Sequence, residues 1–409
     1  MGVHAGGWSS SPQRHGLATP ARRAARRRRS LWNTVHRWLG IGLGLWFMLV
    51  GLTGALLVYR ETIDRWLNPA LLKPRASGPA LPLAEVVERA SLTVELGRVE
   101  KIHPPAGQDD VYRLQVRPLA SRVDASRLEA MIDPASGELL GTRSLEAIGL
   151  APPHLLRTLY EFHRNVLLGS WGSNIVGIAG VLLLVSVVTG LVISWPRRWR
   201  AWRRLVWVNT RASATRIVFD LHRSSGVLIG SLLLLSTLTG ATLVYLNYVR
   251  DLVGLFSRVE IFPVIPWRAG SESEPLDLNE IVQRVEATFP AHRIAELHLP
   301  PRGNSGLLFY LHRAGDAHTL GDTIVWVHPG SGEILTERSA RTRSTGEAFM
   351  HWLFPLHTGS AFGAGGLVAM CLAGTMPLLL VSSGLWVWLR KRRGERIARE
   401  RQLARERGV

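Results

Sequence analysis

Four histidines in this chain recur at matched positions. A pair of imidazoles, one on each face, is what a haem iron takes as axial ligands. His36 opens "HRWLGIGLGLWFMLVGLTGALLVY" and His222 opens "HRSSGVLIGSLLLLSTLTGATLVY", and the two stretches align without a gap at an offset of 186 residues. His163 and His357 form a second matched set, each standing 27 residues ahead of Gly190 or Gly384, where Thr189-Gly190 corresponds to Ser383-Gly384. Arg37, Arg223 and Arg164 directly follow three of the four histidines. A guanidinium can take a carboxylate, such as a haem propionate, with two parallel hydrogen bonds. His357 is followed by Thr358 instead, and His154 and His351 lie close enough to the second set to be alternative ligands. A single histidine at a membrane boundary is explained equally well by hydration or hydrogen bonding. The matched pairs are what point to a bound metal group.

A flat macrocycle between helices needs neighbours without bulk. Gly40, Gly42 and Gly44 flank His36, Gly226 and Gly230 flank His222, and Gly359, Gly363, Gly365 and Gly366 follow His357. Small residues at such spacing also serve plain helix packing. Gly40, Gly42 and Gly44 are not a dinucleotide fingerprint, since they lie inside an apolar run rather than after a strand.

The elements that must hold these side chains are four apolar runs, at about 38–59, 174–195, 226–247 and 364–389. Each is about as long as the roughly 20 residues that a helix needs to cross a hydrocarbon core of about 30 Å. The 409 residues are 46% hydrophobic and carry a formal charge of +18. That charge would suit nucleic acid in a soluble chain, but the arginines cluster beside the apolar runs: Arg22 to Arg29 before the first, Arg197 to Arg204 after the second, and Arg390 to Arg393 after the fourth. The positive-inside bias accounts for this pattern, excludes nucleic acid as the reading, and sets both termini and the middle loop on the cytoplasmic side. The lone Cys371 excludes an intramolecular disulfide and C-x-x-C redox chemistry. The first apolar run is too long for a cleaved signal.

The chain therefore divides into a basic tail at 1–30, expected to be disordered, and a first membrane helix within 31–66. An exterior α+β segment at 67–150 and a second membrane helix with an interfacial lead-in at 151–196 follow. A cytoplasmic segment rich in Trp and Arg occupies 197–218, with Trp199, Trp202 and Trp207 in it and Trp195 just before. It reads as an interfacial anchor; a dock for an electron-donating partner is the alternative. The second half repeats the order: a third helix in 219–252, an exterior segment at 253–345, a fourth helix in 346–392 and a charged tail at 393–409. Within the exterior segments "DPASGELL" and "HPGSGEIL" match, with Gly137 on Gly332 at turns that favour glycine. The fold expected is a membrane α-helical protein of four spans from a tandem duplication, with two small exterior α+β domains.

The His-Arg-Trp opening, the "LTGALLVY" exit, the turn in each exterior segment and "PLHTG" at 355–359 resemble the PepSY-associated transmembrane helix family, over residues 31–393. Its iron-regulated members include inner-membrane ferric-siderophore reductases, which are haem proteins. The resemblance implies two b-type haems, on His36 with His222 and on His163 with His357. It also implies electron transfer from a cytoplasmic or quinol donor to a ferric chelate outside the bacterial inner membrane, and PepSY-like exterior domains. Two other readings stay open. One is a non-enzymatic PepSY protein that binds an envelope peptide or peptidase. The other is metal handling through the histidines and Met350, Met370 and Met376. Neither the substrate, the donor nor the oligomeric state can be read from the sequence.

One tension remains. Twenty-seven residues of straight helix measure about 40 Å, more than the hydrocarbon core. His163 and His357 must then stand above the membrane, or their helices must break near Gly169, Gly172 and Gly363.

Overall fold

A computed structural model of the protein describes residues 20–93, 97–118, 126–196, 202–260, 277–299 and 306–407. The first apolar run forms two helices, α1 (Pro20–Gly42) and α2 (Gly44–Val58), bent by 66° at Leu43. Three glycines within five residues, Gly40, Gly42 and Gly44, lower helix propensity at the bend. α1 starts at Pro20, so residues 20–30 of the basic tail are helical rather than disordered. Ala and Arg are both good helix formers. Residues 1–19 lie outside the described residues, as do Trp199 and its neighbours 197–201.

After α2 come α3 (Arg60–Leu67), α4 (Pro69–Leu72) and α5 (Leu83–Thr93), then strands β1 (Arg98–His103), β2 (Tyr112–Arg117), β3 (Leu128–Ile132) and β4 (Leu139–Ser144). The chain returns through α6 (Pro152–Asn165) and α7 (Gly169–Ser194), crosses α8 (Arg203–Val206), and enters α9 (Ala214–Val244). Next are α10 (Leu246–Gly254), α11 (Leu278–Thr288), β5 (Arg293–His298), β6 (Leu307–His312), β7 (Thr323–Val327), β8 (Ile334–Arg338), α12 (Thr345–Thr358) and α13 (Gly363–Glu406). α7, α9 and α13 with its preceding turn are long and apolar enough to cross a membrane, and the bent α1–α2 pair, counted as one span, brings the number to four. Around the bundle α13 packs on α2 and α9, and α7 packs on α9 and α1. α2 and α13 meet backbone to backbone: a Cβ on Gly51 would lie 2.5 Å from the Gly374 carbonyl oxygen, so neither position admits a side chain.

The length tension is resolved by two breaks. Between α6 and α7, Val166 and Leu167 take φ of 46° and 62°. Between α12 and α13, Gly359 and Gly363 take φ of 85° and 57°. A left-handed conformation at a β-branched valine is rare. It is held by the tight return of the chain, because a Cβ on Gly172 would fall 1.7 Å from the Asn165 carbonyl oxygen. Each break lets the histidine before it turn back into the bundle.

The strands do not form two separate small domains. They join in one antiparallel sheet of order β4-β3-β2-β1-β5-β6-β7-β8, with β1 and β5 paired at Lys101↔His298 and Ile102↔Leu297. One core serves both halves: Val86 of α5 and Ile281 and Val285 of α11 pack on Ile102, Leu114, Ile132, Leu297, Phe309 and Val325. Across the seam Glu296 accepts from Lys101 at 3.4 Å and meets His103 at 3.3 Å. Burial would raise the Glu296 carboxyl, but His298, His103 and Lys101 hold it down at about 2.

Asp133 ties the linker after α4 to the turn after β3. Its carboxylate accepts from the backbone N–H of Arg75 at 2.6 Å, and from those of Ala76, Ala135 and Ser136 at 3.0 Å. The matching turn in the second half uses His328, whose Nδ1 accepts from Gly330 and Ser331. Burial would raise the Asp133 carboxyl, yet these four donors hold it at about 2. A lowered carboxyl contributes stability that is complete above its ordinary value of 3.8 and is lost as pH falls towards about 2. We expect Asp133→Ala to cost about 2–3 kcal/mol, because buried N–H groups lose their acceptor, and to abolish part of the acid sensitivity in that window. Thermal melts of both proteins between pH 4 and pH 2 check this; parallel pH dependences would contradict it.

Candidate functional site

The four histidines are held by one repeated local device. His36 on α1 lies against Gly190 of α7, where an added Cβ would sit 2.9 Å from the ring's Cε1. In return His163 on α6 lies against Gly54 of α2, at 2.8 Å by the same measure. The second half repeats the exchange: His222 on α9 lies against Gly384 of α13, and His357 on α12 lies against Gly240 of α9. In each case the residue before the glycine is Thr or Ser, and a backbone or hydroxyl oxygen takes the ring's Nδ1. His36 Nδ1 is 2.9 Å from the Ser186 carbonyl, and His163 and His357 are each 3.0 Å from the carbonyls of Val50 and Ser236. His222 Nδ1 is 2.9 Å from Ser383 Oγ, which spends its own proton on the Leu379 carbonyl. The threonines do likewise, Thr53 and Thr239 donating to carbonyls one turn back.

These partners fix the tautomer. A carbonyl can only accept, so Nδ1 carries the proton and Nε2 keeps a bare lone pair, which is the form in which imidazole binds a metal. Among the described residues no hydrogen bond reaches Nε2 of any of the four.

The exchange brings the rings together across the two halves. His36 faces His222 with ring centroids 6.3 Å apart, and His163 faces His357 at the same 6.3 Å. Two imidazoles bound end-on to one metal at about 2 Å, each ring centre lying about 1 Å behind its nitrogen, would have centroids about 6 Å apart. The spacing therefore suits a metal taken from two opposite faces. On α9 His222 and Gly240 are 18 residues apart, which is about 27 Å of helix. The two pairs thus sit near opposite ends of the bundle.

A family model for the PepSY-associated TM region matches residues 33–391, a stretch that contains all four histidines and every glycine beneath them. The chain belongs to that family. No curated protein matches it.

In this family member the other residues singled out in the sequence take different positions. Arg37 is exposed, with its guanidinium over the Trp38 ring. Arg164 is exposed in the last turn of α6. Arg223 pairs with buried Asp220 at 3.0 Å and donates to the Trp207 carbonyl, so it braces the segment leading into α9. His154 and His351 are outside the ring pairs. His351 Nε2 bonds Asp322 at 2.7 Å, and its ring lies 5.5 Å from that of His318. Burial and the neighbouring His351 push the His318 imidazole down to about 4. Met370 packs in the bundle beneath Gly359. Among the described residues no three or more His, Cys, Asp or Glu side chains are grouped to hold a metal ion.

Sequence reasoning missed Val50, Thr53-Gly54, Ser186, Thr189-Gly190, Ser236, Thr239-Gly240 and Ser383-Gly384 as the supports of the rings. Their signal was present, since a Thr-Gly or Ser-Gly pair occurs in each span. If these supports set the tautomer, [15N]histidine spectra of the apo protein should show four rings protonated at Nδ1 and bare at Nε2. Ser383→Ala should alter one of the four alone. A mixture of tautomers in the wild type would refute the assignment.

Proposed function

We propose that this chain is a haem-containing membrane reductase, built by tandem duplication, that carries electrons through the bacterial inner membrane to a ferric chelate of the siderophore type. The observation that carries the reading is the pair of facing imidazole sets, each with its rings 6.3 Å apart. Two imidazoles at each level leave four further coordination positions, which a porphyrin supplies; bound in this way, haem iron accepts and releases one electron at a time.

The chain's own residues have definite parts in this reading. His36 and His222 hold one haem b, and His163 and His357 hold the other. Ser186, Val50, Ser236 and Ser383 keep Nε2 bare by accepting a hydrogen bond from Nδ1–H, which also raises ligand basicity. Gly54, Gly190, Gly240 and Gly384 let the Cε1 edge of each ring approach a neighbouring helix closely. The apolar walls of α2, α7, α9 and α13 exclude water from the bundle. The positive-inside bias sets the arginine-rich ends, and the His36 pair near them, on the cytoplasmic side. The sheet then stands outside, above the His163 pair. A quinol or cytoplasmic donor loses one electron for each Fe(III) of the chelate that becomes Fe(II). Of the arginines, Arg37 and Arg164 are free to meet propionates, whereas Arg223 already serves Asp220.

The test is the oxidised and dithionite-reduced visible spectrum of detergent-purified protein, with a pyridine-haemochrome count. We expect about two low-spin haems per chain. His36→Ala and Gly190→Leu should each lose one haem, the same one, since the added side chain would occupy the place of the His36 ring. His357→Ala and Gly240→Leu should lose the other. Loss of ferric-chelate reduction should accompany either. A colourless protein would overturn the reading and turn attention to binding of envelope peptides by the sheet.

A further inference from the structure

A groove of about 800 Å³ opens at the arginine-rich end of the bundle, between the first turns of α9 and the stretch of α13 that leaves the apolar region. Ser213, Thr215 and Arg216 line one wall, Arg390, Lys391 and Arg393 line the other, and Phe219, Val387 and Ile397 supply apolar surface. Among the described residues no carboxylate lines it. Arg216 is paired with Asp220 at 3.1 Å, and Lys391 has only an exposed Glu395 at 3.9 Å. Arg390 and Arg393 meet no carboxylate among the described residues; the Arg390 guanidinium rests 5.1 Å from the centre of the Trp386 ring.

We infer that this groove binds the headgroup phosphate of an anionic phospholipid. Three observations identify the occupant. The first is charge: four cationic side chains line the groove with two hydroxyl groups, a donor set that matches phosphate oxygens, and of the four only Arg216 is held by a buried carboxylate. The second is depth. Leu389 ends the apolar run of α13 and Arg390 begins the charged one, while Trp386 and Trp388 stand one turn inside, where aromatic residues mark the lipid headgroup level. The third is the shape of the lining. Phe219 and Val387 continue from the cations towards the apolar part of the bundle, so a phosphate at the rim can leave its acyl chain on lipid-facing surface. A soluble anion would use the cations and leave that surface bare. Basic pockets between membrane helices are known to select anionic headgroups in this way.

The site would also have a consequence for the histidines. Phe219 lies one turn before His222, and Val387 one turn after Gly384, against which the His222 ring rests. A headgroup bridging Arg216 to Arg390 and Arg393 would clamp α9 to α13 at that contact. This inference does not depend on the chain binding haem.

Native mass spectrometry of the detergent-purified full chain, offered phosphatidylglycerol and phosphatidylcholine in equal amounts, tests it. The wild type should retain phosphatidylglycerol selectively. Arg390→Gln/Lys391→Gln/Arg393→Gln should weaken that retention about a hundredfold, at roughly fivefold for each charge removed near the surface. Arg399→Gln/Arg401→Gln/Arg405→Gln, which removes three charges from α13 outside the groove, should leave it intact. Equal loss in both triple variants, or no preference in the wild type, would overturn the proposal. A further arm uses wild type alone and so does not depend on the variants folding. Phosphatidylglycerol should raise the melting temperature where inorganic phosphate at the same concentration does not. Equal stabilisation by phosphate would assign the groove to a soluble anion and overturn the lipid. Capture of an acidic soluble protein that displaces the lipid would do the same.

Discussion

A histidine ring with its Cε1 edge set against a glycine, and its Nδ1–H turned to an oxygen of the same neighbouring helix, is the contact on which the rest of this bundle depends. It occurs four times. Within each half it is reciprocal: α1 gives a histidine to α7, and α6, which leads into α7 across the break at Val166 and Leu167, returns one to α2. The two helices of a half are therefore fastened near both ends, and each fastening leaves Nε2 without a hydrogen-bond partner among the described residues. A methyl group at any of the four glycines would fall within about 3 Å of the imidazole. In an interior that packs at near-crystalline density, that displacement would have to be taken up by backbone. The hydroxyl beside each glycine matters for a different reason: it donates back to its own helix, and so offers the imidazole only an acceptor.

The breaks before α7 and α13 follow from the same requirement. A continuous helix would have carried His163 and His357 clear of the apolar region. The left-handed turns at Val166 and Leu167, and at Gly359, bring them back to the levels of Gly54 and Gly240. Backbone strain at a valine persists only where the surroundings over-determine it. Here Asn165, whose carbonyl presses on Gly172 and whose side chain caps Leu167, supplies that constraint.

Much of this arrangement could be read along the chain. The four apolar runs, the pairing of histidines at matched positions and the places where a helix had to break all come from local signals of hydropathy, spacing and glycine content. The pairs themselves were legible because an offset of 186 residues can be read without knowing any contact. What could not be read was set by contacts between distant residues. Thr53-Gly54 looks like a generic small-residue packing site, and only its distance to His163, 110 residues later, makes it a support. The joining of the two strand groups into one sheet was hidden for a similar reason. It rests on a short β1–β5 seam, and nothing in the alternation of "VEKIHP" or "RIAELHLP" distinguishes an edge strand from a central one. Arg223 has a partner that its position after a histidine does not announce: Asp220, three residues earlier on the same helix face, pairs with it at 3.0 Å.

The two halves are alike at the histidines and unlike just above them. Beside His357, the β6–β7 loop is drawn onto α12: His351 bonds Asp322, Ser360 Oγ donates to the Ala317 carbonyl at 2.8 Å, and the His318 ring lies 5.5 Å from Phe354. Beside His163, the corresponding turns of α6 carry Arg157 paired with Glu161 at 2.7 Å. Burial would raise the Asp322 carboxyl, but His351 and the N–H groups of Ala317 and His318 hold it at about 2, so this clasp keeps its negative partner through any ordinary pH. Symmetry in the ring supports and asymmetry above them fit separate demands. The supports repeat one ring-holding geometry at both levels. The sheet side carries no such repeat: the clasp of Asp322, His351 and Ser360 stands in one half and the Arg157–Glu161 pair in the other.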